Sequence, residues 1–227
     1  MQGRCLVVNG TIANMTITKF GHCCVLIEVK EKRILVDPGR FTTKQNQLTD
    51  IDIVLITHEH ADHCHTESVL QITANNPDVI IVTNTSVSTL LQTLAVEAHV
   101  IEGRDSATVA DIYIEAFDGE HVEIFEEFGL VQNTGYFIDN HFFFPGDAYT
   151  VPNKPVSILA LPVAGPWCKI SDAIRYAVSV KPVVAFPVHD ATLNEVGQAV
   201  TYPHFERELK KVGSTFLILE NEIAREF

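Results

Sequence analysis

The sequence predicts an α/β protein in which helices lie outside two packed sheets. Three observations carry that prediction: short strands almost continuous in Val, Ile and Leu, apolar-periodic stretches between them, and a hairpin-and-strand layout that occurs twice along the 227 residues. Strands apolar on both sides are what a sheet covered on both faces requires. With 46% hydrophobic and 20% charged residues the chain can bury a sizeable core, and with only 12 Gly and 10 Pro it is neither collagen-like nor low-complexity. No linker-like stretch and no charge block divides it, so 1–227 reads as a single domain.

The first half opens with strands over 25–29 and 34–36, joined by a polar turn at Lys30 and closed by Asp37-Pro38-Gly39. Strands over 53–56 and 79–82 follow. The second half repeats the layout with 135–139 and 142–144, closed by Pro145-Gly146-Asp147, then 158–161 and 183–188, the last running into His189-Asp190. Each short strand leads into an irregular loop, which gathers chemistry at strand ends. Helices are expected over 66–74 behind Thr66-Glu67, after Ser86, over 173–178 behind Ser171-Asp172, and over 205–211 before a last strand at 215–219.

Sixteen basic against 29 acidic side chains leave a net charge of −13, which opposes binding to a phosphate backbone. No nucleic-acid partner is expected. No apolar run approaches the ~20 residues of a membrane span, and the stretch 5–8 behind one arginine is too brief for a signal sequence. A cytoplasmic protein without membrane attachment is expected, and nothing in the sequence reads as an oligomeric state. The five cysteines, Cys5, Cys23, Cys24, Cys64 and Cys168, are odd in number and lack CxxC spacing, so they read as small buried hydrophobes in a reducing compartment. Cys64, set among ionisable residues, is the candidate for reactivity.

Directly after the strand at 53–56 comes Thr57-His58-Glu59-His60-Ala61-Asp62-His63-Cys64-His65, which places four of the ten histidines within eight positions. That density is implausible for core histidines. Imidazole nitrogen and carboxylate oxygen are first-row metal donors, and alternate positions just past a strand can face one point while the next pair faces a second. Two metal sites are expected.

The pattern H-x-H-x-D-H formed by His58, His60, Asp62 and His63 resembles the signature of the metallo-β-lactamase superfamily, and the resemblance extends over essentially the whole chain. It implies a four-layer αββα sandwich of two similar halves and two divalent metal ions, zinc first, with manganese or iron as alternatives. It also implies further ligands: His121 after the strand at 112–117, Asp147 as the bridging carboxylate, and His189. One ion would take His58, His60 and His121, the other Asp62, His63 and His189, while Asp37 would support the loop. His99 competes with His121 but lies within the run 98–101.

The segments Lys19-Phe20-Gly21-His22 and Leu161-Pro162-Val163-Ala164-Gly165-Pro166-Trp167 narrow the resemblance to the branch containing ascorbate-6-phosphate lactonase. The chain lacks room for the extra elements of larger lactonases, so the phosphorylated-sugar substrate does not carry over. His22 either orients a metal-site loop or satisfies a buried carbonyl. Trp167 and Lys169 are candidates for a pocket, and His65, which departs from the usual family sequence, for a supporting donor, a substitute ligand or an exposed residue. The implied activity is hydrolysis of a small ester, lactone or phosphoester, anionic ones included, by hydroxide shared between two ions and oriented by Asp62. The rival readings are a metal-dependent sensor or binding protein without catalysis, and a nuclease or phosphodiesterase.

Overall fold

The computed structural model describes residues 15–128 and 130–227; Cys5 and the stretch 5–8 lie outside them. The first half supplies strands β1 (Thr16–Gly21), β2 (Cys24–Val29), β3 (Lys32–Val36) and β4 (Ile53–Leu55), helix α1 (Thr66–Asn75), β5 (Ile80–Thr83), α2 (Thr85–Gln92) and β6 (His99–Val100). The second supplies β7 (Ser106–Val109), β8 (Ile112–Glu120), β9 (Gln132–Ile138), β10 (Phe142–Phe144), β11 (Ile158–Pro162), α3 (Ile170–Val180), β12 (Val184–Val188), α4 (Glu195–Lys211) and β13 (Thr215–Phe216), before β14 (Arg225–Glu226).

Two seven-stranded sheets result, ordered β14-β1-β2-β3-β4-β5-β6 and β13-β12-β11-β10-β9-β8-β7. In both, antiparallel hairpins give way to parallel strands, at β3–β4 in one and β10–β11 in the other. The hairpin turns repeat too. Lys30 and Glu31 (φ 51° and 59°) turn the first, and Asp139 and Asn140 (φ 48° and 59°) the second, in the left-handed region that matches the twist of the flanking strands.

Side-chain alternation builds the layers. Val25, Ile27, Ile34 and Val36 of one sheet meet Ile112, Ile114, Phe142 and Phe144 of the other in a central core. The intervening residues face outward, where Leu26, Leu35 and Val54 pack under Val69, Ile72, Val87 and Leu91 of α1 and α2. Phe143, Leu159 and Leu161 likewise pack under Tyr176, Phe205 and Leu209 of α3 and α4. The predicted α/β class, with helices outside two packed sheets, is the observed one.

Several boundaries differ from expectation. Helix α4 begins ten residues before 205, because the Asn194 side chain accepts from the Gly197 amide and caps it. Its first half hides from periodicity, exposing Val196 and Val200 and carrying Pro203 inside the helix. The expected strand at 215–219 is cut to Thr215–Phe216. Strands β1, β6, β7 and β14 are additional; β7 alternates exposed and half-buried residues and gives little apolar signal. No helix among the described residues is long and apolar enough to cross a membrane.

A buried ion pair ties β1 to the end of β12 and to α4. Lys19 Nζ lies 2.5 Å from Asp190 Oδ2 and donates to the Pro187 carbonyl (2.9 Å), while the Tyr202 hydroxyl donates to the same carboxylate (2.8 Å). The two charged side chains are only 4% and 9% exposed, so removing one strands the other out of water. Lys19→Met is expected to cost about 3–5 kcal/mol in urea unfolding, and a change within 1 kcal/mol would show that the pair carries no such weight.

Candidate metal centre

All the clustered side chains lie at or just beyond the C-terminal ends of strands. The loop after β4 carries His58, His60, Asp62 and His63; His121 follows β8, Asp147 follows β10 and His189 follows β12. The first loop is folded against the segment after β3. The Arg40 amide donates to the Ala61 carbonyl (2.9 Å), and Gly39 packs so closely that an added Cβ would sit 1.7 Å from the Asp62 carbonyl oxygen. Only glycine fits there.

Asp37, fully buried, organises the same loop. Its carboxylate accepts from the Thr57 amide and hydroxyl (both 2.8 Å) and from His63 Nδ1–H (2.6 Å). Because the Thr57 hydroxyl proton is spent on Asp37, its oxygen accepts from His58 Nδ1–H (3.0 Å). His121 Nδ1–H donates to the Val122 carbonyl (2.7 Å). In all three rings Nδ1 is therefore the hydrogen-bonded nitrogen, and Nε2 points inward.

The Nε2 atoms of these rings and of His189 converge on Asp147. One carboxylate oxygen lies 3.1 Å from His63 Nε2; the other lies 3.0 Å from His189 Nε2, 3.3 Å from His121 Nε2 and 3.8 Å from His58 Nε2. Among the described residues two groups of four form, each with donor atoms within 4.8 Å of one another: His58, His60, His121 and Asp147, and His22, Asp62, His63 and His189; Cys23, His63 and Asp147 form a smaller third. Asp147 closes the first group and touches two members of the second. The Trp167 indole N–H donates to Asp147 Oδ2 (2.9 Å), and the Asn133 side chain accepts from the Asp147 amide (3.0 Å).

The electrostatics point the same way. Nε2 of His58, His63, His121 and His189 and Oδ1 of Asp147 are buried without a hydrogen-bonding partner. So many orphaned atoms facing one another are costly unless a cation joins them. Burial works to raise the Asp147 carboxyl, but the positive fields of His63 and His189 outweigh it and hold that group well below the ordinary carboxylate range. Burial would lower His63 and His189; the Asp147 charge outweighs it and lifts both well above 6.5. His58 goes the other way, driven well down by burial and by the neighbouring His63. The donor set, imidazole and carboxylate on buried rigid loops, fits divalent metal ions.

The structure brings His58, His60, Asp62, His63, His121, Asp147 and His189 into one centre, with Asp37 beneath and Trp167 beside it. His22 joins as a close neighbour of Asp62, at 3.1 Å. His65 does not: it turns toward Ser68 (2.9 Å) and Glu67 (2.9 Å) at the start of α1. Lys169 is exposed at the start of α3 and touches none of the cluster, and His99 sits exposed on β6. The grip of Asn133 and Thr57 was invisible to spacing, because it depends on side chains brought in by other strands.

Among the cysteines the structure reverses the expectation. Burial pushes the Cys64 thiol up to about 12. At Cys23 burial also acts upward, but His63, His22 and His189 outweigh it and bring the thiol down to about 7.

An α/β scaffold that gathers two adjoining His/Asp groups at strand ends defines a class of proteins built to hold metal between two sheets. The chain matches the family described as the beta-lactamase superfamily domain over residues 16–189, and it belongs to the metallo-β-lactamase superfamily. It is similar to protein Rv0786c of Mycobacterium tuberculosis, 31% identical with 94% of this chain and 100% of that one covered. It is also similar to a UPF0173 metal-dependent hydrolase of Thermoplasma acidophilum, 27% identical with 80% and 85% covered. In fold it resembles the solved structure of a metallo hydrolase from Ignicoccus hospitalis, with a TM-score of 0.75 at 18% identity over 94% of this chain and 98% of that one.

Lifted values at His63 and His189 mean that the metal-free protein holds protons where a cation would bind. Their contribution to metal-free stability is present below about pH 6.5 and fades as pH rises through the raised values; that of Asp147 is present above about pH 4 and fades as pH falls through its depressed value. Zinc uptake is expected to release protons and to tighten about tenfold per pH unit for each proton displaced. Titration with a pH indicator and a competing chelator checks this, and pH-independent uptake without proton release would contradict it.

Proposed function

We propose that this chain is a hydrolase that uses two divalent ions to cleave a small ester, lactone or phosphoester. The observation that carries the reading is the Asp147 carboxylate set between two groups of imidazoles, with Nε2 of His58, His63, His121 and His189 and its own Oδ1 buried and unpartnered. His58, His60 and His121 would hold one ion, Asp62, His63 and His189 the other, and Asp147 both. Nitrogen and oxygen donors favour zinc, with manganese or iron next. Such a pair supplies water activated near neutral pH and polarises the scissile oxygen.

The chain's own residues set the geometry. Trp167 N–H and the Asn133 carbonyl hold Asp147 from opposite ends, and Asp37 holds His63. Asp62 is the most exposed carboxylate of the centre, its side chain 23% accessible against 2% for Asp147. In this reading it would accept a hydrogen bond from incoming water and aim it at the substrate. Trp167, edge-on to His121 and His189, forms one wall.

Small molecules rather than nucleic acids are the proposed substrates, because a net charge of −13 repels a polyanion. The similarity to the lactonase branch is taken at the level of reaction class, not substrate. Four unpaired cysteines, Cys23, Cys24, Cys64 and Cys168, support a reducing, cytoplasmic setting.

The test is turnover of ester, lactone, thioester and phosphodiester panels by zinc- and manganese-loaded protein, with a chelated control. Asp62→Ala is expected to lower kcat/KM on the best substrate by about 100-fold or more. Full metal occupancy without turnover on any panel would replace this reading with a non-catalytic, metal-dependent binding role.

A further inference from the structure

His22 stands apart from the other histidines of the centre in the sense of its hydrogen bonds. His58, His63 and His121 each spend an Nδ1–H on an oxygen and turn Nε2 toward Asp147. At His22 the order is reversed: Nδ1 accepts from the backbone amide of Ala191 (3.3 Å), and Nε2 faces Asp62 Oδ2 (3.1 Å). A ring that accepts at Nδ1 carries its proton on Nε2, so this nitrogen has no lone pair for a cation. Proximity alone would make His22 a fourth ligand of the second group; its hydrogen bonds make it a donor.

We propose that His22 is a positioning residue rather than a metal ligand, donating Nε2–H to Asp62 Oδ2 and holding that carboxylate in place for the second ion. The inference rests on the two-ion reading above. The ring is itself clamped, edge-on to Phe41 with centroids 4.7 Å apart and tilted against His189 at 4.2 Å. Its carbonyl accepts the His189 amide (3.2 Å), so one residue in the β1–β2 turn fixes Asp62 from the first half and His189 from the second. The backbones of His22 and His189 are both left-handed, at φ 52° and 57°, a conformation retained by non-glycine residues when the surroundings over-determine it. His22 also lines a cleft of about 830 Å³ together with Lys19, Phe41, Ala191 and Tyr202.

Long-range 1H–15N spectra of histidine-labelled protein, metal-free and zinc-loaded, read the protonated nitrogen directly. The expected pattern has His22 protonated at Nε2 in both states, with His58, His63 and His121 protonated at Nδ1. Zinc on His22 Nε2 would overturn the proposal. His22→Gln and His22→Leu, two side chains not branched at Cβ and both disfavoured at this φ, then separate donor from bulk. Gln, which keeps an N–H, is expected to bind the second ion within about threefold of wild type and to leave the cobalt-substituted absorption spectrum unchanged. Leu is expected to weaken that ion by about 10- to 100-fold while sparing the first. Equal loss in both variants, a changed cobalt spectrum in Gln, or no loss in Leu would each overturn the role. A wild-type stoichiometry below two ions per chain would instead count against the two-ion reading itself.

Discussion

The buried carboxylate of Asp147 is the constraint on which the centre depends. An anion removed from water must be compensated, and this one is surrounded by imidazole nitrogens at 3.0 to 3.8 Å and a single indole N–H. Protons on His63 and His189 provide that compensation at the cost of crowding positive rings together; His58 responds by being driven neutral. The arrangement is thus electrostatically coupled throughout, and altering one member shifts the rest. Divalent cations resolve the conflict, since they satisfy carboxylate and lone pairs together.

The scaffold delivers these groups through its duplication. Parallel strands β4 in one half and β11–β12 in the other stop at the same edge of the two-sheet core, so the loops that follow face one another. Contacts then cross between the halves: Thr134 of β9 donates its amide to the Thr57 carbonyl, and Asn84 at the start of α2 donates to the Thr134 hydroxyl. Left-handed backbone at His22, Asp37 and His189 shows where regular structure gives way to precision of aim.

Much of this was legible in one dimension because the decisive signals are local. The density of His58, His60, Asp62 and His63 needs no partner strand to be noticed, and the paired hairpins announce themselves through apolar runs broken at Asp37-Pro38-Gly39 and Pro145-Gly146-Asp147. What stayed hidden depends on residues far apart in the chain. Strands β1 and β7 exist because a neighbour supplies their hydrogen bonds, not because their own residues are apolar. Cys23 rather than Cys64 lies under the influence of the imidazoles, since Cys64 turns into the apolar layer beneath α1. Spacing offered no hint that the lone tryptophan would hold Asp147, nor that His22 would present the opposite face of its ring.

The pairing of β14 with β1 joins Thr16 to Glu226, roughly two hundred residues later. During synthesis, everything between must leave the ribosome before the outer rim of the first sheet can be sealed. Until then β1 offers unsatisfied amides and carbonyls to any passing strand, including one from a neighbouring nascent chain. Delayed closure of this kind makes the emerging polypeptide a natural client for chaperones, however secure the finished molecule is.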